Sequence, residues 1–250
     1  MKEIDIYMNC FNEIQHRINY GDNLYSLAMY YNTTVEEILL MNRNINPYNL
    51  RIGDIIRICP NTNNSQNGET CISQIAMNLS DEMNTLWEQH VFWTRLFLIS
   101  VAENLKDLNE TEKRLLRNPV DIANVYRRYY GNSVAQRIQN LLTEHLKIGG
   151  DLIVALKNKD NLKAQELDKK WHKNADEITE FLSSINPYYN RQELQQMLYE
   201  HLALTTEEVK ARIRGDYKAD IEAFDRVEKE ELKIASYFTG GIWKQFRNMF

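Results

Sequence analysis

The sequence predicts a small α+β domain of strand–helix–helix–strand order, joined to an all-α up-and-down helical bundle that contains an internal duplication. Three observations support this fold class. The first 60 residues combine short alternating segments with turn-forming Gly, Asn and Pro. Residues 60–71, PNTNNSQNGETC, are polar and lack periodicity, as is typical of a linker. Apolar residues then recur at helical spacing. We therefore assign residues 1–60 to the first domain, 61–75 to the linker and 76–250 to the bundle.

Composition excludes some classes of function. An apolar fraction of 43% and a charged fraction of 26% are ordinary for a soluble globular protein. The net charge of -5 argues against a nucleic-acid partner, because neutralising phosphates requires a basic face. The N-terminus lacks the apolar core of a secretory signal. The most apolar later run, residues 91–102, is too short to span a bilayer and contains Arg95. We expect a soluble protein without a membrane span and without classical export.

The chain has three cysteines, Cys10, Cys59 and Cys71, and no CxxC pair that would indicate a zinc ribbon. If strands near the two ends of the first 60 residues pair antiparallel, Cys10 and Cys59 lie close together. A disulfide between them would suit an extracytoplasmic or spore-layer location. Free buried thiols are the alternative.

Local signals place each element of the first domain. The segment QHRIN favours a strand, and Gly21-Asp22 a turn, after which Asp22 or Asn23 caps a short helix. Thr34 is the expected N-cap of a second helix, with Glu37 as its capping-box partner. The loop NINPYNLRIGD then leads into the alternating segment DIIRIC, which predicts the closing strand.

Residues 18–58, INYGDNLYSLAMYYNTTVEEILLMNRNINPYNLRIGDIIRI, resemble a LysM module over nearly its whole length. The resemblance implies a two-stranded sheet with two helices on one face. It also implies binding of N-acetylglucosamine-containing glycans such as peptidoglycan and chitin. In that family the glycan lies between the loop after the first strand and the loop before the second. The corresponding residues here are Gly21, Asp22, Asn23, Leu24, Asn44, Ile45, Asn46 and Pro47.

Two alternatives to glycan binding remain at this stage. Leu24 and Ile45 are also consistent with a purely core role, and the loop residues with turn formation alone. Some LysM modules, moreover, recruit proteins rather than glycans. A single shallow site would bind in about the micromolar range or more weakly, so anchoring would depend on avidity.

The bundle is predicted as a series of long helices with short connections. Asn118-Pro119 and Asn186-Pro187 interrupt the helical pattern, because the residue before proline avoids the helical region. The expected helices cover about 81–106, 110–117, 119–130, 132–157, 161–184, 191–213 and 217–238.

Three segments of the bundle resemble one another, LWEQHVFW, LLTEHLKI and MLYEHLAL, and they indicate an internal duplication of a two-helix unit. At 100° per residue, their histidines fall on the apolar stripes of their helices. On the last long helix, Ile221 and Leu232 share a stripe with two acids, and Glu177 lies at the edge of an inner face. Histidines and acids converging from several helices are how dinuclear metal sites are built. The predicted ligands are His90, His145, His201, Glu177, Asp225 and Glu228.

The expected cofactor is one or two first-row transition metal ions, with iron foremost and manganese or zinc as alternatives. A histidine on an apolar stripe is also compatible with an ordinary core residue. Arg95 or Arg128 is equally able to neutralise inward acids as an ion pair.

Six segments of the bundle are similar to a family of metalloproteins from spore-forming Gram-positive bacteria. They are LWEQHVFWTRLF, RLLRNPVDIANVYRRYYG, LLTEHLKIGGDLI, NADEITEFLSSINP, MLYEHLALTTEE and DIEAFD. That family implies two repeated ferritin-like helical units with bound metal, iron being expected. The chain departs from ferritin-like proteins because Glu and His are adjacent at 144–145 and 200–201, instead of forming Glu-x-x-His. The ferritin ligand set is therefore not transferred.

No arrangement of nucleophile, base and acid and no phosphate-binding loop is found in the sequence. Asp225 and Glu228 are three residues apart on one helix, which does not suit a glycosidase pair. Three functions remain: a glycan-tethered metalloprotein, a metal-free structural envelope protein, and a di-metal oxidoreductase. We favour the first, in the spore envelope or cell wall, with peptidoglycan and envelope or spore-coat proteins as partners. A cytoplasmic location is the alternative.

Overall fold

The computed structural model describes residues 10, 13–19, 22–42, 45–46, 50–60 and 74–250. The chain divides into two compact units, Met1–Gln74 and Ile75–Phe250. Within the described residues, none of the helices combines the length and the apolar character needed to cross a bilayer.

The N-terminal unit is a two-stranded sheet with two short helices. Strand β1 covers Ile14–Arg17 and β2 covers Ile55–Ile58, and they pair antiparallel with Ile14 opposite Ile58 and Arg17 opposite Ile55. Between them lie helices α1, Leu24–Tyr30, and α2, Val35–Met41. The predicted order of strand, helix, helix and strand is confirmed.

Side-chain caps fix where the two short helices begin. Asn23 caps α1 and forms a capping box with Ser26, which selects Asn23 over Asp22. Thr34 caps α2 in a capping box with Glu37, as predicted. Both helices then bury their apolar faces against the sheet. The core of the unit consists of Ile18, Leu24, Leu27, Ala28, Ile38, Ile56 and Ile58.

A disulfide joins Cys10 and Cys59, whose Cα atoms are 5.7 Å apart. The antiparallel pairing explains this proximity, because Cys10 precedes β1 and Cys59 directly follows β2. Cys71 lies outside the described residues.

The C-terminal unit is an all-helical bundle, as predicted. Consecutive helices joined by short loops pack against each other, α5 on α6, α6 on α7 and α7 on α8. The helices are α3, Gln74–Glu103; α4, Leu108–Leu115; α5, Asn118–Lys157; α6, Asn161–Ile185; α7, Arg191–Ile213; and α8, Tyr217–Gln245. A short 3-10 turn, Arg247–Met249, follows.

Glycines lie at two of the predicted helix boundaries, of which the break at residue 131 is confirmed and the end at residue 238 is wrong. Gly131 interrupts α5 with φ 80°, at the position where the sequence predicts a break between two helices. Helix α8 continues past the expected end at 238, through Gly240-Gly241. A Cβ on Gly241 would lie 1.9 Å from the Tyr189 ring, so glycine permits the close approach of α8 to Tyr189. Tertiary packing here overrides the low helix propensity of glycine.

Candidate metal centre and glycan-binding loop

Three buried histidines meet at the centre of the bundle. His90 on α3, His145 on α5 and His201 on α7 each offer one ring nitrogen, and these atoms lie within 4.8 Å of one another. Their ring centroids are 5.8 to 6.1 Å apart. Each histidine occupies the inner stripe of its helix, as the helical periodicity predicts. The structure therefore brings together all three nitrogen ligands proposed from the sequence.

Two of these histidines are held by buried asparagines. His90 Nδ1 is 3.0 Å from Asn118 Oδ1, while Asn118 Nδ2 donates to the Leu86 carbonyl at 2.7 Å. Because the amide nitrogen is engaged with a carbonyl, the amide oxygen faces the histidine. An amide oxygen only accepts hydrogen bonds, so Nδ1 carries the proton. The neutral His90 ring consequently keeps its lone pair on Nε2, where a metal can bind.

The same arrangement is repeated at His145. Its Nδ1 is 3.0 Å from Asn174 Oδ1, and Asn174 Nδ2 donates to the Leu141 carbonyl at 3.2 Å. In both cases the accepting carbonyl belongs to the residue four positions before the histidine. The same argument places the lone pair of neutral His145 on Nε2.

At His201 a carboxylate takes the place of the amide. His201 Nδ1 and Glu231 Oε2 are 2.9 Å apart, without the angle of a hydrogen bond, so the contact is an ion pair. The partner follows its histidine by 28, 29 and 30 residues in the three cases, from 90 to 118, 145 to 174 and 201 to 231. This regular spacing is a signal in the sequence that identifies the partners, and sequence reasoning missed Asn118 and Glu231.

The three histidines differ in the direction in which their surroundings shift the pKa. Burial lowers the pKa of His90 and, more strongly, that of His145, where His201 and His90 lower it further. Burial also opposes the charged form of His201, but the carboxylates of Glu231, Glu230 and Glu208 together outweigh it, and the pKa of His201 is raised. His90 and His145 are therefore neutral and able to donate a lone pair to a metal near neutral pH.

The three predicted oxygen ligands do not join the histidine cluster within the part of the chain that the structure describes. Asp225 is exposed and Glu228 half-exposed on α8, and Glu177 lies on the surface near Arg137 and Lys173. The hydrophobic pattern assigns the wrong face of α8 to the interior of the bundle. Ile221, which the pattern predicts to face inward, is 55% exposed. The buried stripe of α8 instead includes Asp220, Ala223, Val227, Glu231 and Ile234.

A second polar cluster neutralises other inward acids. Arg95 donates to both carboxylate oxygens of Asp220, at 2.8 and 3.1 Å, and to Glu208 at 2.5 Å. Arg212 donates to Asp220 at 3.2 Å. Burial raises the pKa of Glu208 to about 7, against the opposing effect of Arg95. The proposed role of Arg95 as a counter-ion is thus confirmed for different acids, whereas Arg128 pairs with Glu82 at the surface.

The histidines separate two small cavities inside the bundle. Each has a volume of about 20 Å³, and all three histidines line both. Glu231 and Trp87 line the first cavity. Thr205 and Trp171 line the second. Such a volume accommodates one water-sized group.

In the N-terminal unit, the structure describes five of the eight predicted glycan-binding residues. Asp22 Oδ2 accepts the Asn19 backbone N–H at 2.7 Å and lies 2.8 Å from His16 Nε2. His16 therefore braces this turn. Leu24 is 2% exposed, so its side chain supports the turn from the core and offers no surface to a glycan. Ile45 packs against the same core. The remaining described residues are Asn23 and Asn46, whereas Gly21, Asn44 and Pro47 lie outside the described residues.

Fold and site define a two-part protein, a small βααβ unit and a helical bundle around three buried histidines. Residues 16–58 match the LysM domain family. This match supports binding of N-acetylglucosamine-containing glycans such as peptidoglycan or chitin, and with it association with the cell wall. No ferritin-like or metalloprotein family is identified for the bundle. No curated protein and no solved structure matches the chain.

Proposed function

We propose that the protein is a glycan-anchored metalloprotein, in which the LysM domain binds peptidoglycan and the bundle holds one divalent first-row metal ion. The observation that carries the metal assignment is the convergence of three buried histidines, each with Nδ1 held by a separate partner. This arrangement leaves Nε2 as the free donor on His90 and His145, and partners on the second ring nitrogen are typical of metal-binding histidines.

The donor set favours one metal ion over two. Carboxylates bridge and surround the ions of dinuclear iron and manganese sites. Among the described residues, no carboxylate joins the three histidines as a ligand candidate. Three imidazoles suit zinc or iron(II), and three protein ligands leave a fourth position for a small molecule. The donor set does not support the di-metal oxidoreductase.

Metal content of the purified full chain tests the proposal. Protein produced in medium supplemented with iron, zinc and manganese is expected to contain close to one metal ion per chain. His145→Ala removes one of three ligands and is expected to lose most of that metal. The measurement is elemental mass spectrometry alongside circular dichroism. His172→Ala is the matched control, since His172 lies partly exposed on α6 and contacts Asp168.

One result would overturn the metal assignment. Folded wild-type protein without metal, and a His145→Ala variant that is only less stable, would mean that the histidines are core residues. The bundle would then serve as a structural part of a glycan-binding envelope protein.

Sedimentation of the full chain with insoluble peptidoglycan tests the glycan half of the proposal. Asp22→Ala removes the carboxylate that braces the turn after β1, and is expected to weaken binding by about tenfold, the equivalent of one charge-assisted hydrogen bond. Glu36→Gln, at an exposed position on α2, is the control and should bind as the unchanged protein does. Equal binding of both variants would exclude this turn from the glycan site.

Anchoring in the spore envelope or cell wall follows from the same proposal. One LysM domain provides a single weak site, so retention on the wall requires several copies of the chain or further envelope partners. The disulfide of the N-terminal unit is consistent with an oxidising location outside the cytoplasm.

A further inference from the structure

The cavity on the Trp171 side of the histidines contains polar groups without partners. Thr205 follows His201 by one helical turn on α7 and is 4% exposed. Its hydroxyl has no hydrogen-bond partner among the described residues, and neither has the indole N–H of Trp171. Both residues line this cavity together with the three histidines. Buried donors of this kind are costly unless something accepts their hydrogen bonds.

Glu231 distinguishes the two cavities. It lines the opposite cavity and pairs with His201 Nδ1. The two nitrogens of an imidazole point in divergent directions, so the free edge of His201 is turned away from Glu231. A ligand of the metal on that side would also meet the negative charge of Glu231. Each side offers an indole N–H without a partner among the described residues, from Trp87 and from Trp171, but the Trp171 side adds the hydroxyl of Thr205 and lacks the carboxylate.

A neighbouring pocket adjoins the Trp171-side cavity. A larger pocket of about 380 Å³ lies between α3, α4 and α5. It shares four lining residues with the Trp171-side cavity, namely Phe97, Leu115, Leu146 and Gly150. The shared residues form a layer of side chains between this pocket and the Trp171-side cavity. Gly150 thins that layer, because a Cβ there would lie 3.4 Å from the Phe97 ring.

We propose that the Trp171-side cavity is the binding site for a fourth metal ligand, a small hydrogen-bond acceptor whose metal-bound atom fills the water-sized cavity. Thr205 Oγ1 and Trp171 Nε1 donate to this ligand, and it enters past Phe97. The cavity volume of about 20 Å³ sets the size limit. The carboxylate of Glu231, paired with His201, compensates only one of the two charges of a divalent ion, which favours an anion as the fourth ligand. This inference rests on the proposed metal site.

The Gly149-Gly150 pair on α5 gives the cavity its shape. A Cβ on Gly149 would lie 3.1 Å from the Trp171 ring, which is tighter than an ordinary contact. Glycine at this position thus lets the indole pack beside His145, with ring centroids 5.2 Å apart. Glycine weakens a helix interior, and the presence of Gly149 is explained by the room that it leaves for Trp171.

Azide titration of the cobalt(II)-loaded full chain tests the inference. Azide binding is expected to change the visible absorption of the bound cobalt. Thr205→Val keeps the shape of the side chain but removes the hydroxyl, and should raise the azide Kd by about tenfold. Trp171→Phe removes the indole N–H and should weaken azide binding as well. Thr179→Val is the matched control, because Thr179 is equally buried and unpartnered among the described residues, and does not line either cavity.

The outcomes separate this inference from the metal proposal. Failure to bind cobalt at all would contradict the metal site itself. Stoichiometric cobalt with no spectral response to azide would leave the metal site standing and overturn the fourth-ligand site. The site would also be overturned if Thr205→Val matched Thr179→Val, or if only Trp87→Phe, on the opposite side, weakened azide binding.

Discussion

Replacing Asp220 with alanine is expected to lower the free energy of unfolding of the bundle by about 3–5 kcal/mol, the usual cost of removing one member of a buried ion cluster. Asp220 is fully buried and accepts hydrogen bonds from Arg95 and Arg212. Its loss leaves two guanidinium groups with fewer partners and creates a cavity between α7 and α8. Urea unfolding followed by circular dichroism measures the change.

Two further variants give this prediction a control. Asp220→Asn keeps an acceptor oxygen and should lose less stability, so the effect remains measurable if the alanine variant does not fold. Asp225→Ala, on the exposed side of the same helix, should change stability by less than about 0.5 kcal/mol. A loss below about 1 kcal/mol for Asp220→Ala would mean that solvent replaces the missing carboxylate.

Replacing Glu231 with glutamine is expected to weaken metal binding by about 10- to 100-fold, as is typical of partners that orient metal-bound histidines. Glutamine still offers an oxygen to His201 Nδ1, but without the negative charge that stabilises the histidine–metal unit. Competition between the protein and a chelator of known affinity measures the change in Kd.

The neighbouring acid provides a matched control for this experiment. Glu230 is as deeply buried as Glu231 but pairs with Lys233, at 2.8 Å. Glu230→Gln should therefore keep its metal affinity within about threefold, because the carboxylate of Glu230 pairs with Lys233 and does not orient His201. Equal loss in both variants would show that net charge matters, and not the contact with His201.

Sequence reasoning succeeded in the N-terminal unit because its signals are local. The capping boxes at Asn23 and Thr34 act within four residues, and the alternating strand residues fix which side of the sheet is buried. Such interactions are present in the sequence itself. The same reasoning succeeded for the histidines, since apolar residues within one turn of each histidine on its own helix are buried together with it.

It failed on α8, where the inner stripe is itself rich in charge. Asp220, Glu230 and Glu231 are buried there, while the apolar Ile221 is exposed. A hydrophobic pattern assigns the wrong face when buried acids are neutralised by residues from distant helices. Arg95 lies 125 residues before Asp220, so its effect could not be predicted from periodicity along α8.

The sequence by itself determined the LysM fold, the order of the bundle helices and the three histidines, because caps, turns and apolar periodicity act over a few residues. Tertiary structure alone decided which acids lie inside, which amides hold the histidine rings, and where the cavities form. Those properties depend on the rotational phase of each helix and on partners far away in the chain. Packing determines the rotational phase of a helix and the partners of its buried residues together, because a buried charge is stable only where another helix supplies its counter-charge.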